Sequence, residues 1–202
     1  MSKWRFSRFH PAGFDMYNHH PRFKSPGRTR GVTLLELVAT LAIVTVLLTL
    51  GAPSFTSMLA KSRLEAASRA LQADLVFARE EARNSASLIT LCMSADGATC
   101  GAAGWKGGHI VFRDGGAAGA VGPADTLLRH GQAVDPGVSI GATILGSGDA
   151  YTQKYFSFDS DGKLVGENAL RFTLCAAGQL PSQLALRLNG NLSGAKGDVK
   201  CL

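Results

Sequence analysis

Apolar and polar positions follow three different rhythms along this chain, and each predicts a different kind of element. Residues 32–50 carry one charge, Glu36, among otherwise uncharged and mostly apolar side chains. A helix of that length rises about 28 Å, close to the hydrocarbon thickness of a bilayer, so the segment is long enough to span a membrane. From residue 53 onward Phe55, Met58, Leu59, Leu64, Ala67, Leu71, Leu75 and Ala78 recur at three-to-four-residue intervals. Lys61, Arg63, Glu65, Arg69, Asp74, Arg79, Glu80 and Arg83 fall between them. This predicts an amphipathic helix ending near Asn84 or Ser85, its stripe either a coiled-coil seam or, more simply, a face packed on a sheet. Gly51 loosens the backbone between the two stretches, and Pro53 lacks the N–H that would continue the hydrogen-bond ladder, which predicts a kink. The halves together make a kinked helix of some 53 residues, on the order of 80 Å long.

After residue 87 the rhythm changes to short β-type runs separated by glycine-rich turns, with strands predicted at 88–93, 109–113, 126–129, 138–144, 155–158, 170–175 and 184–188. The fold class is therefore α+β, a long helix packed on an antiparallel β-sheet. Residues 115–122 form a glycine–alanine loop that is expected to be mobile. No Gly-rich phosphate cradle of the GxxxxGK[ST] or GxGxxG type occurs.

The formal net charge of +6 suggests a nucleic-acid or anionic-membrane partner until it is apportioned. Residues 1–31 hold seven Lys and Arg against Asp15 alone, and the rest of the chain is balanced at fourteen of each sign. The basicity belongs to a leader. Such a leader before an apolar span keeps the amino terminus in the cytoplasm, and the chain beyond the span is exported. Four parts result: a basic leader (1–31), a transmembrane or filament-core helix (32–52), an amphipathic helix (53–87) and an exported β-rich domain (88–202).

All four cysteines lie in the exported part, where an oxidising compartment lets disulfides persist. Three pairings are possible. Local spacing favours Cys92 with Cys100 across a short Gly-containing loop and leaves Cys175 for Cys201, tying down the carboxy terminus. Zinc is the competing reading, but neither pair has ligand spacing and only His109 and His130 lie outside the leader. Asp159, Asp161 and Glu167 around Gly162 offer oxygen ligands for calcium, although Asp-x-Asp-Gly more often marks a hairpin turn. There is no G-x-S-x-G elbow and no evident Ser/His/Asp arrangement, so neither catalysis nor a cofactor is expected.

Glu36 is the residue that most needs explaining. An acid near the bilayer centre costs about 2.5 to 3.5 kcal/mol on insertion scales, which makes it a functional candidate unless it sits at headgroup level near the cytoplasmic end of the helix. An ordinary secretory signal, the alternative reading of the segment, has a shorter apolar region without an acid and is cut on its far side, where Thr49-Leu50-Gly51 is a poor site. A plain uncleaved anchor is a further alternative. The arrangement of a Lys/Arg cluster, then Gly31-Val32-Thr33-Leu34-Leu35-Glu36, then a membrane-length helix resembles the amino terminus of type IV pilins and type II secretion pseudopilins. That resemblance implies cleavage by a prepilin peptidase between Gly31 and Val32 and methylation of the new Val32 amine. It also implies pairing of that amine with Glu36 of a neighbouring subunit as the filament assembles. Two features depart from the family pattern. Val32 stands where Phe is usual, and the leader is long, which makes Met16 an alternative start.

Further on, Ile89-Thr90-Leu91-Cys92, Asp96-Gly97, Cys100, Gly104-Trp105, Gly108, Ile110-Val111-Phe112, Asp114, Phe156-Ser157-Phe158, Gly162 and Cys175 resemble the GspH/FimT family, the H-type minor pseudopilins and the related T-type minor pilins. The resemblance implies a pilin-like fold and an inner-membrane protein with one span, its carboxy-terminal domain periplasmic until it joins a filament. Its implied partners are the prepilin peptidase, other pseudopilins or pilins, the inner-membrane assembly platform and membrane lipids. Two roles are implied: a pseudopilus subunit for protein secretion or, alternatively, a minor pilin in pilus biogenesis or DNA uptake. T-type pilins that capture DNA carry a carboxy-terminal Gly-Arg-x-Arg motif. Here the aligned place reads Gly190-Asn191-Leu192-Ser193, leaving Arg187, Lys196 and Lys200 as scattered cations, and DNA is not the expected partner.

Overall fold

The computed structural model describes residues 31–117, 119–195 and 201; most of the basic leader, Lys196 and Lys200 lie outside them. The chain divides into two units, Met1–Ile43 and Val44–Leu202. One helix, α1 (Leu34–Ser85), belongs to both and is continuous in secondary structure through Gly51 and Pro53. Thr33 starts it, with its Oγ1 accepting the Glu36 N–H at 3.2 Å and its carbonyl accepting the Leu37 N–H at 3.1 Å. This satisfies donors that a first turn otherwise leaves unpaired. The helix stops where Ala86 turns left-handed (φ 48°) and the Ser87 N–H returns to the Ala82 carbonyl at 3.2 Å. Glycine usually supplies that conformation; an L-residue there carries a cost of about 1 kcal/mol.

In the first unit the described residues are an exposed helix end, with Val32, Leu34, Leu35, Leu37, Val38, Leu41 and Ile43 all open to the surroundings. In the second, the strands are β1 (Ile89–Met93), β2 (His109–Arg113), β3 (Thr126–Gly131), β4 (Val138–Ile144), β5 (Tyr155–Phe158), β6 (Leu170–Ala176), β7 (Ser182–Leu186) and β8 (Leu192–Ala195). A short 3-10 turn, Trp105–Gly107, precedes β2. The strands form two antiparallel four-stranded sheets, ordered β3-β2-β1-β5 and β4-β6-β7-β8, where the sequence predicts one.

Two strands differ from expectation for identifiable reasons. Strand β7 ends at Leu186 rather than Leu188 because residues 187–190 form the turn, closed by the Gly190 N–H on the Arg187 carbonyl at 2.9 Å. Strand β8, Leu-Ser-Gly-Ala, has small side chains with little strand preference and is formed by pairing with β7, Leu192 opposite Leu186. The two ends of the glycine–alanine loop are joined by Asp125, whose carboxylate accepts the Gly115 and Gly122 N–H groups at 2.7 Å each.

The core lies between α1 and both sheets. Leu64, Leu71, Leu75, Ala78 and Ala82 of the helix meet Ile89, Leu91, Val111, Phe156 and Phe158 of the first sheet, and Leu170, Phe172, Leu174, Leu184 and Leu186 of the second. Trp105 fills the centre, its ring 5.4 Å from both Phe156 and Phe172. Because side chains alternate along a strand, Cys92, Ile110 and Phe112 face the other way and form a second, smaller cluster with Cys100, Val121 and Tyr155. The amphipathic stripe is thus engaged from Leu64 onward, but Phe55 (67 %), Met58 (73 %) and Leu59 (39 %) remain exposed, contrary to a stripe packed along its whole length.

Candidate functional site

The candidate site has two components: an apolar helix with an acid in its first turn, and the contacts that hold the rest of that helix to the domain. At the start, Val32 is exposed and Glu36 occupies the third position after the Thr33 cap, where the positive end of the helix dipole favours a carboxylate. Among the described residues, α1 is the helix long and apolar enough to cross a membrane, and none of its apolar window is buried by the chain itself. It is apolar on all sides in residues 37–50, a pattern suited to lipid or to other helices and not to water.

Polar contacts fix α1 to the domain at successive levels. Gln179 Nε2 donates to the Ser57 carbonyl and to Ser57 Oγ, both at 3.1 Å. Arg63 pairs with Asp135 at 3.3 Å, and the Ser68 and Ser182 hydroxyls share a hydrogen bond at 2.9 Å. Further along, Arg79 Nε donates to the Gly162 carbonyl at 3.1 Å and Arg113 pairs with Glu81 at 3.0 Å. Gly190 closes on that Gly162 carbonyl so tightly that a Cβ there would collide with it.

The central contact is a buried carboxylate. Asp74 lies on the packed face of α1; His109 Nε2 donates to its Oδ2 at 2.8 Å and Arg129 to its Oδ1 at 2.8 Å. The Arg129 guanidinium also sits 4.5 Å over the Phe77 ring. Burial pushes the Asp74 pKa up, but the hydrogen bond and charge of His109 and then Arg129 outweigh it and hold the group below its ordinary value. Gly131 opposite His109 leaves room for the ring, since a Cβ would fall inside it. By sequence alone Asp74 falls among the polar positions of the helix, and His109 enters only as a disfavoured zinc ligand or member of a Ser/His/Asp arrangement. The available signal is the place of Asp74 one residue before Leu75 and three after Leu71, inside the apolar stripe.

Cys92 is joined to Cys100 and Cys175 to Cys201, with Cα atoms 5.5 and 5.9 Å apart. Both cysteine pairs are therefore engaged in disulfides. No group of three or more metal-ligating side chains occurs among the described residues. The Asp159 carboxylate accepts the Asp161 and Lys163 N–H groups at 3.0 and 2.8 Å, and Asp161 pairs with Lys163 at 2.9 Å, so the Asp-x-Asp-Gly segment serves as a turn. Asp96 builds another, its carboxylate held well below the ordinary range by bonds from the Thr99 side chain, the Thr99 and Ala98 N–H groups and Ser94. Asp114 accepts the buried Thr90 hydroxyl at 2.8 Å and closes the start of the glycine–alanine loop onto β1.

Of the basic residues considered for DNA, Arg187 is exposed at the β7–β8 turn, beside a cleft of about 450 Å³ that it lines with Arg79, Glu80 and Asn191. Lys196 and Lys200 lie outside the described residues.

Comparison with known proteins is consistent with this geometry. The family model of type II transport protein GspH matches residues 67–194, the packed half of α1 and both sheets. Among solved structures, the Pseudomonas aeruginosa type IV minor pilin FimU is similar at 20 % identity and a TM-score of 0.51, over 67 % of this chain and 90 % of that one. The minor pseudopilin EpsH of the Vibrio cholerae type 2 secretion system is similar at 12 % identity and a TM-score of 0.47, over 68 % of this chain and 99 % of that one. No curated protein matches the sequence. The first likeness is one of fold, a long helix on antiparallel sheets. With well over half of the chain, including the helix-to-sheet core, inside the matched region, this protein belongs to the GspH family of pilin-like structural proteins, which are not enzymes.

Proposed function

We propose that the chain is a minor pseudopilin of a type II secretion system, built into a short periplasmic filament that moves folded proteins towards an outer-membrane channel. The observation that carries this is a helix whose second half is consumed by its own domain while its first half has large apolar side chains exposed throughout, in a chain of the GspH family. The protein is anchored in the inner membrane by that first half, with the amino terminus cytoplasmic and the domain from residue 88 periplasmic. Prepilin peptidase cuts between Gly31 and Val32, removing the leader 1–31, and the Val32 amine is methylated. Residues 32–52 then form the filament core, bent at Gly51 and Pro53, and residues 53–87 carry the domain. The Glu36 carboxylate pairs with the Val32 amine of a neighbour, which offsets the cost of carrying the acid from the headgroup layer into the apolar filament core. Other pseudopilins and the inner-membrane assembly platform are the partners. The scattered cations Arg187, Lys196 and Lys200 on a mature chain of zero net charge do not favour DNA.

The test is complementation of a deletion strain by the wild-type chain and by Glu36→Ala. The expected result is exoprotein in the medium with the wild type and at least about a tenfold loss with the variant, at unchanged membrane level and leader cleavage. Normal secretion without the gene, together with lost surface pili, would replace the secretion role by that of a type IV pilus minor pilin.

A further inference from the structure

We propose that the β6–β7 hairpin tip is a lipid contact that seats the domain on the bilayer surface before assembly, with Leu180 as its inserting side chain. The inference rests on membrane anchoring through the apolar half of α1. Leu180 is 89 % exposed, more than any other large apolar residue of the described domain. It follows Gln179, whose amide is bonded to the carbonyl and hydroxyl of Ser57, so the tip is held against α1 at that level. Phe55 and Met58, also exposed, flank the attachment point on the helix.

Depth is set by charge. No charged residue occurs between Glu36 and Lys61, a stretch of 24 residues or about 36 Å of helix. The hydrocarbon core is about 30 Å thick, so with Glu36 at one headgroup layer the last few uncharged residues, Ser57 among them, lie in the other. The hairpin is suited to that depth. Residues 172–186 contain no charged side chain, and the first ion pair joining α1 to the domain, Arg63 with Asp135, lies more than a turn further from the membrane. Apolar side chains beside uncharged polar groups, with a lysine just above them, match the boundary between headgroups and acyl chains. A neighbouring subunit is the other conceivable cover, but continuity with the apolar helix and the absence of charge favour lipid.

The experiment uses the full chain in phosphatidylethanolamine–phosphatidylglycerol vesicles, with tryptophan introduced singly by Leu180→Trp, Leu47→Trp or Val165→Trp and the wild-type emission subtracted. Leu180 is exposed, so the first substitution leaves the core intact. Val165 is in the turn region that packs on Arg79, about 33 Å further along the helix than Ser57. The expected result is that lipid brominated near the headgroup quenches the L180W emission about twofold more than deeply brominated lipid, while V165W is not quenched. L47W should be quenched most by deep bromine. Quenching of L47W without quenching of L180W overturns the proposal and leaves anchoring intact; loss of both refutes the anchoring itself. A blue shift of L180W that depends on protein density and not on bromine assigns the tip to a second copy and also overturns the proposal.

Discussion

Residues 34–48 and 64–82 belong to the same helix and both carry apolar side chains along it, yet the surroundings of those side chains are opposite. In the first stretch exposures run from 47 % at Val44 to 82 % at Leu34; in the second Leu64, Leu71, Leu75, Ala78 and Ala82 lie between 0 and 4 %. The second stretch has a single apolar stripe, and the chain supplies the sheets that cover it. The first is apolar on every side, and among the described residues nothing covers it. On the proposed function its complement is lipid and then the helices of neighbouring subunits. Between them, Phe55, Met58 and Leu59 have the spacing of the packed stripe and the exposure of the free one.

The comparison predicts that mutations in the two halves separate stability from assembly. Leu75→Ala should destabilise the domain by about 2 to 5 kcal/mol, since it opens a cavity in a core made by helix and two sheets. Leu47→Ala should leave domain unfolding unchanged within about 0.5 kcal/mol, because its side chain contributes nothing to that core. Chemical denaturation of the two variants in detergent, followed by the near-ultraviolet signal of Trp105, measures both. Equal losses would mean that the first half is part of the folded domain.

Next in size come the disulfides. Removing Cys175–Cys201, which closes 26 residues, should cost about 3 kcal/mol in the chain-entropy model, and removing Cys92–Cys100, which closes 8, somewhat less. Alanine pairs at each site, compared by thermal melting without reductant, give the order. A larger effect at the short loop would show that the second cluster around Ile110 and Phe112 depends on it more than chain entropy implies.

Smaller again is the Asp74 contact. Asp74→Asn removes the charge that His109 and Arg129 face and should cost about 1 to 3 kcal/mol near neutral pH. The folded pKa of Asp74 lies below its ordinary value, so its contribution is complete above the ordinary carboxylate range and is lost as pH falls through the depressed pKa. The gap between wild type and variant should therefore hold from neutral pH to about pH 4 and close below it. A gap that widens under acid would contradict the contact. Glu36→Ala should do nothing in the same assay, which sharpens the contrast between an acid that holds the fold and one proposed to serve assembly.

Much of this division is legible in the sequence, because periodicity reports which faces need cover. The helix ends at Ser85 as its pattern indicates, and seven of the eight strands lie within two residues of their predicted limits at both ends. Strand β7 shares three residues, 184–186, with its predicted range but starts and stops early, since the Asn189-Gly190 turn takes Leu188 into it. Strand β8 is specified by its neighbour and not by its own Leu-Ser-Gly-Ala, so no local pattern reveals it. The same holds for Asp74, whose partners lie 35 and 55 residues away on two different strands. The prepilin-like motif, by contrast, is local, with Gly31, Val32, Thr33 and Glu36 readable without any fold.

The central claim, that the free half of the helix is a processed assembly segment, is tested most directly by amino-terminal sequencing and intact mass of the protein extracted from membranes. The account predicts a mature chain beginning Val-Thr-Leu-Leu-Glu, with one methyl group on the Val32 amine. A mature chain that starts near Ala52, beyond the apolar stretch, would contradict it, because the half with nothing to cover it would then be a discarded signal.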